Sequence, residues 1–246
     1  MPLRESEAVV LRTYPLGEGD RLVSFLSRED GRVRGVARGA RKPKSHFGAS
    51  LEPLSHIRIS FYERETRDLV RISQCELIDA FVDAQRSYNG AVAFAFLAEI
   101  SEAILPEREP SDPVFRLLLA TCRAIQETGL ISLPISYFTI WMLRLGGWLP
   151  SFERCAGCRG DLSGGEVWVA GDGSGIFCRE CRPAGARAIS NESVAIARTM
   201  LRESLENLAR KGGAGVPVVL TNYLMDLIER RMEKKSGVRP ILELAP

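Results

Sequence analysis

The chain divides by the period of its apolar positions. Up to about residue 80 that period is two. The stretch 7–13 carries Val9, Val10 and Leu11. The stretch 21–26 alternates around Leu22, Val23 and Phe25, and 31–36 alternates Val33 and Val36 with Arg32 and Arg34. In 54–62, Ile57, Ile59 and Phe61 share one face, and 69–78 is a fifth run. Gly17-Glu18-Gly19-Asp20 and Glu29-Asp30-Gly31 are turn sequences between the first three runs. Five short strands in about eighty residues predict a small barrel or sandwich, with the OB-fold as the leading candidate.

The period then changes to that of a helix. Ala93, Phe96, Leu97, Ile100 and Ile104 form one stripe, stopped by Pro106 and Pro110. Val114, Leu118, Cys122 and Ile125 form a second, ended by Gly129. Ile135, Phe138, Met142 and Leu145 form a third, whose neighbours Ile140, Trp141 and Leu143 are also apolar, so this helix is expected to be buried on most sides. A fourth stripe runs Val194, Ala197, Leu201, Leu205, Leu208, and a fifth Leu220, Leu224, Leu227. The expected architecture is α+β and multidomain: an N-terminal OB-fold β-barrel over 1–81, then an all-α domain over 82–246 with a zinc-ribbon-like insert at about 151–189.

Composition narrows the function classes. The 246 residues are 45% hydrophobic, enough for a sizeable core, and no run of about 18 apolar residues predicts a membrane span. The charged start Met1-Pro2-Leu3-Arg4-Glu5-Ser6-Glu7 lacks the apolar region of a secretory signal, so a cytoplasmic location is expected. Net charge is +2. Residues 1–81 hold fourteen Lys/Arg against twelve Asp/Glu, and 82–150 hold five against seven. Any nucleic-acid contact must therefore come from a local cluster. Two histidines, His46 and His56, leave little room for His-dependent catalysis.

The strongest chemical signal is Cys155-Ala156-Gly157-Cys158, then nineteen intervening residues, then Cys178-Arg179-Glu180-Cys181. Two such pairs can supply four thiolates to one tetrahedral metal, leaving no open position for water or substrate. Glu166-Val167-Trp168-Val169 and Gly175-Ile176-Phe177 read as short strands around Gly171-Asp172-Gly173-Ser174, the pattern of a zinc ribbon. Two disulfides would need an oxidising compartment. An iron–sulfur cluster is chemically open to four cysteines, and a redox dithiol would use one pair. The expected occupant is one structural Zn2+. Cys75 and Cys122 fall on apolar runs and are expected in the core.

Residues 32–44 contain Arg32, Arg34, Arg38, Arg41, Lys42 and Lys44 and no acidic residue. Cations on a strand and its loop suit phosphate tracking, and a nearby aromatic such as Phe47 could stack a base. The competing explanations are a charged edge that resists strand pairing and, for Phe47, core or turn packing. Arg230, Arg231, Lys234 and Lys235 end the last helical stripe, where cations complement the helix dipole. Arg198 and Arg202 flank the fourth stripe.

With these residues in view, the chain resembles the RecO family. Leu16-Gly17-Glu18-Gly19-Asp20-Arg21-Leu22-Val23 is similar to its early strand-turn motif, and the run from Gly31 to Ser45 is similar to its basic strand and loop. Phe47-Gly48-Ala49-Ser50-Leu51-Glu52-Pro53 continues the match, and Leu143-Arg144-Leu145-Gly146-Gly147-Trp148-Leu149-Pro150 resembles the entry into the family's cysteine module. The resemblance implies a bacterial, nucleoid-associated DNA repair and recombination protein. It implies an OB-fold and a helical domain, binding of single- and double-stranded DNA, and annealing of complementary strands without nucleotide. It also implies work with RecR and single-strand-binding protein in loading recombinase at gaps.

Two other readings compete. In one, the chain is a zinc-stabilised protein-interaction module with little direct DNA binding. Trp141 and Arg144 would then offer a groove for an acidic, apolar peptide such as the C-terminal tail of single-strand-binding protein. In the other, it is a zinc enzyme. Neither His46-Phe47-Gly48 nor His56-Ile57-Arg58 supplies the H-x-E of nucleobase deaminases, and four thiolates close the metal, so no catalytic residue is expected.

Overall fold

The structure, a computed structural model, describes residues 3–63, 68–162, 166–211, 215–238 and 241–242; residues 163–165 of the expected cysteine insert lie outside the described residues. The chain forms two compact units, Met1–Gln126 and Glu127–Pro246.

The first unit starts with β1 (Leu3–Leu16), β2 (Asp20–Ser27), β3 (Gly31–Ala37), β4 (His56–Tyr62) and β5 (Val70–Asp79). They pair in the order β1-β2-β3-β5-β4, and β4 pairs back onto β1, so the sheet closes on itself. The β3–β5 pair is parallel, with Gly35 opposite Val70 and Ala37 opposite Ile72; the others are antiparallel. The period of two accounts for this. Val10, Val23, Phe25, Val33, Ile57, Ile59 and Phe61 all point to one side and form a single buried cluster with Val70 and Ile72. Burying each such large apolar side chain contributes about 1.5–3 kcal/mol. Cys75 lies in this cluster, where burial pushes its thiol up to about 12. Cys122 is fully buried and its thiol is raised for the same reason. Both are inert core residues, as expected.

One irregularity decides which side chains face out. The β1–β2 register shifts between Val10 and Arg12, so Leu11 is an extra residue in β1. Before it Val10 opposes Phe25; after it Thr13 opposes Val23, and Arg12, Tyr14 and Leu16 take the outer face.

The change of period near residue 80 and the end of the compact unit are different places. α1 (Val82–Gln85), α2 (Tyr88–Ile104) and α3 (Asp112–Thr128) follow the sheet, and α2 packs on β1. Ser87 caps α2 by accepting from the Gly90 N–H at 3.0 Å.

In the second unit α4 (Ser132–Leu145) is buried on most of its circumference, against α5 (Asn191–Met200), α6 (Leu205–Arg210) and α7 (Val218–Met232). The single stripe expected from Val194 to Leu208 is two helices. Thr199 O accepts from Arg202 N and Glu203 N, ending α5, and Ser204 begins α6 by accepting from Asn207 N at 3.4 Å. Between α4 and α5 lie β6 (Val167–Val169), β7 (Ile176–Phe177) and β8 (Arg187–Ile189), paired in the order β7-β6-β8. The first two were expected; β8 was not. Among the described residues no helix is long and apolar enough to cross a membrane.

Candidate nucleic-acid interface and metal site

The basic stretch splits into two parts with different surroundings. Arg32 and Arg34 sit on β3 and are engaged. The Arg32 side chain is only 15% exposed, its Nε donates to Leu105 O at 2.8 Å, and its Nη1 lies 3.5 Å from Glu102 and 3.4 Å from Glu107. Arg34 Nε lies 2.8 Å from Glu107 Oε1. Arg108 N donates to Arg32 O at 3.0 Å, so the segment after α2 lies along β3 and these two arginines hold it there. Gly31 permits the approach: its φ is +72°, and a Cβ there would stand 2.3 Å from Glu109 O.

The loop part is open. Arg38, Arg41, Lys42 and Lys44 are exposed, and among the described residues none of them pairs with a carboxylate. The loop is fixed through backbone groups. Arg41 N donates to Gly19 O and Arg41 Nη1 to Gly17 O, both at 3.0 Å, while Gly39 N donates to Asp20 Oδ1 at 2.8 Å. The turn between β1 and β2 therefore carries the basic loop beside it, with no carboxylate paired to its exposed cations among the described residues. Phe47 is 3% exposed within the sheet's core, with the His46 ring tilted against it at 4.0 Å; it packs the core and offers no face to a base.

The four cysteines converge. The Sγ atoms of Cys155, Cys158, Cys178 and Cys181 all lie within 4.8 Å of one another, and Cys158 and Cys178 are 3.9 Å apart. A tetrahedron with Zn–S of about 2.3 Å needs S–S separations of about 3.8 Å, so the donor set fits that ion. Each pair is turned by local backbone bonds: Cys155 N to Gly160 O at 2.9 Å, Arg159 N to Cys155 O at 3.0 Å, Cys181 N to Cys178 O at 3.3 Å. Gly157 is required by space, since a Cβ there would meet Cys181 Cβ at 2.9 Å. Burial works against ionising Cys155, yet the N–H groups of Cys178, Cys158 and Gly157 outweigh it and bring its pKa down to about 6. Glu180 pushes Cys178 up to about 12. A cation held among the four sulfurs would favour the thiolate form of all of them.

Near the entry to this module a cleft of about 450 Å³ is lined by Arg144, Leu149, Phe152, Glu153, Arg198 and Arg202. Arg198 donates to Phe152 O at 2.6 Å, and Arg202 lies 3.0 Å from Glu153. Trp141 is behind it: its indole N–H donates to Met200 O at 3.0 Å, and Arg144 lies over its ring at 5.1 Å. Of the two expected partner residues, Arg144 lines the cleft and Trp141 supports it. Arg198 and Arg202 stand with Arg144 because a loop returns to α5, a closeness that sequence spacing does not display. Arg230 donates to Gly171 O and Arg231 lies over Trp148 at 5.4 Å, so these helix-end cations serve the unit's own packing.

The family description "Recombination protein O N terminal" matches residues 1–81, and "Recombination protein O C terminal" matches residues 85–217. The chain is similar to proteins named DNA repair protein RecO. With that of Koribacter versatilis it shares 38% identity over 237 residues, covering 95% of each chain. With that of a Nocardioides species it shares 36% over 210 residues, covering 81% of this chain and 82% of the other. With that of Pelotomaculum thermopropionicum it shares 30% over 240 residues, covering 95% and 92%.

Proposed function

The chain belongs to the recombination protein O family of DNA repair proteins, and on that premise we propose that it is a recombination mediator that binds single- and double-stranded DNA and anneals complementary strands. We read the closed sheet as an OB-fold barrel, 1–81 as the DNA-binding part, and 82–246 as the helical part stabilised by one structural Zn2+ on Cys155, Cys158, Cys178 and Cys181. The observation that carries the reading is the loop of exposed cations, Arg38, Arg41, Lys42 and Lys44, without carboxylate partners among the described residues. Two DNA strands repel through their phosphates. A surface that neutralises phosphates on both lowers that barrier and lets base pairing proceed. Arg32 and Arg34, paired with Glu102 and Glu107, hold the neighbouring segment against the basic strand.

No step requires a nucleotide or a catalytic residue, and a metal with four protein sulfurs offers no open coordination site. RecR and the C-terminal tail of single-strand-binding protein are the partners the family resemblance implies, in a cytoplasmic, nucleoid-associated setting. The cleft beside Arg144 has the chemistry for an acidic tail with an apolar end: three arginines around Leu149 and Phe152. That cleft is also what favours the interaction-module reading.

The deciding experiment is strand annealing. Two complementary oligonucleotides coated with single-strand-binding protein are mixed with the metal-replete protein and no nucleotide. Acceleration is expected, and it fades with salt. Binding to a single strand should lose about 0.7 of log–log salt slope for each phosphate contact removed, so replacing Arg38, Arg41 and Lys42 by Ala flattens the slope by up to about 2. No acceleration by the wild type favours the interaction module.

A further inference from the structure

We propose that Tyr14 is a stacking platform for an unpaired nucleobase, and that this face of the sheet makes the protein favour single-stranded over duplex DNA. The inference rests on the DNA-binding reading above and names the form of DNA the site selects.

The extra residue Leu11 turns Arg12, Tyr14 and Leu16 outward, as described above. Across the strands Tyr14 stands opposite Leu22, Leu22 opposite Val36, and Val36 opposite Arg71. These four are directly paired, so they form one row on the outer face. The row begins with an aromatic ring, continues through two aliphatic side chains to a cation, and goes on across the sheet to Tyr62 and Leu3. Neighbouring strands are about 4.8 Å apart, so ring and aliphatic pair together span the width of a base.

The same outer face is treated differently at its other end. Val9, Leu11 and Leu26 are at most 1% exposed, whereas Tyr14 is 42% and Leu16 40% exposed. The fold covers one end of this face and leaves an aromatic ring open at the other. The ring is also held in place: Arg12 Nη1 donates to the Tyr14 hydroxyl at 3.3 Å.

Charge points to the occupant. Leu16 runs into the Gly17–Gly19 turn, and that turn carries the basic loop through Arg41 and through Asp20 on Gly39. Phosphate-binding cations and the open ring thus lie at the same end of the sheet. A polyanion with flat apolar groups along it meets both features. Single-stranded DNA exposes base faces, and each stacked base is worth about 1–3 kcal/mol by side-chain deletion. Duplex DNA has its faces already stacked and can use only the cations.

The test is a cycle with two proteins and three DNA probes. Wild type and Tyr14→Ala are titrated with oligothymidylate, with an oligomer of the same length and backbone whose bases are absent, and with a duplex. Expected is a loss of about five- to 150-fold for Tyr14→Ala on the thymidylate strand, with the salt slope unchanged. No loss is expected on the abasic strand or the duplex, and Tyr14→Phe should bind like wild type. Equal loss on all three probes, or no loss on any, overturns the inference while leaving the DNA-binding reading in place. If wild type binds none of them, both fall. Unfolding of Tyr14→Ala followed by circular dichroism separates a folding defect from a lost contact.

Discussion

The five-stranded sheet and the cysteine module are both small β structures with opposite means of cohesion. β1–β5 direct twelve buried residues into one cluster that Phe47 and Leu51 complete, and Phe25 and Phe61 sit ring to ring at 5.7 Å. β6–β8 are strands of three, two and three residues, and one of the module's four clustered cysteines, Cys158, is exposed to solvent. A sheet that closes on itself has no free edge and can bury apolar side chains from every strand. Three such short strands around long turns close no barrel, and on the reading proposed above a metal held by the four convergent thiols supplies cohesion there. The difference teaches where each part is vulnerable: the first to a cavity, the second to loss of one ligand.

The largest expected effect is on the module. Changing Cys178 to Ser leaves three sulfurs. Structural zinc in isolated fingers supplies roughly 10–16 kcal/mol of apparent folding free energy, so metal content should fall from one equivalent toward none and the turns of 155–189 should open to protease. All three tryptophans, Trp141, Trp148 and Trp168, lie in the second unit, so their emission reports that unit. It should change, while amide hydrogen exchange across β1–β5 should not. Wild-type protein purified without a stoichiometric metal would break the comparison outright.

A smaller effect is expected from Phe61→Ala. Phe61 is fully buried, and deleting such a ring costs about 3–5 kcal/mol through lost transfer energy and the cavity left behind. Exchange across β1–β5 should rise, with metal content and tryptophan emission preserved. Loss of metal from this variant would mean that the two parts do not cohere separately.

How far each part was legible follows from the same contrast. In the sheet, one-face alternation such as Ile57, Ile59, Phe61 survives in the sequence, because burial acts on every second residue of a strand. The extra residue Leu11 does not show, since Val9, Val10 and Leu11 read as a plain apolar run whatever the register; the sequence therefore does not mark Tyr14 as outward-facing, and the aromatic it offers beside the basic loop, Phe47, is buried. Arg32 and Arg34 read as free cations because their partners, Glu102 and Glu107, lie about seventy residues away. In the second unit the cysteine spacing announces its chemistry, but β8 is three residues with one buried position and leaves no period to detect. The break between α5 and α6 was present as Ser204, a cap residue inside an otherwise continuous apolar stripe. Local rules were readable; pairings made by tertiary approach were not.

The smallest expected effect also separates the two units, because both histidines lie in the first. His56 is buried on β4, its ring meets Phe115 edge-on at 6.2 Å, and Nε2 stands 3.7 Å from Glu7 Oε2, too far for a hydrogen bond. Burial lowers its pKa; Glu7 and Asp79 work in the other direction, and Arg123 reinforces the lowering. The unfolded chain, titrating near 6.5, therefore holds a proton that the folded chain does not between that value and the folded pKa. Stability from this group is complete above about pH 6.5 and declines as pH falls toward the folded pKa. Denaturant unfolding between pH 7.5 and about 5.5, followed by exchange across β1–β5, should show a shallow loss no steeper than one proton allows. His56→Leu, close in volume and without a titrating group, should remove that slope. Because acid would also protonate metal-bound thiolates in the second unit, the quantity to compare is wild type minus variant, in which any metal contribution cancels. A wild-type minus variant difference that does not change with pH removes His56 from the acid sensitivity of the sheet.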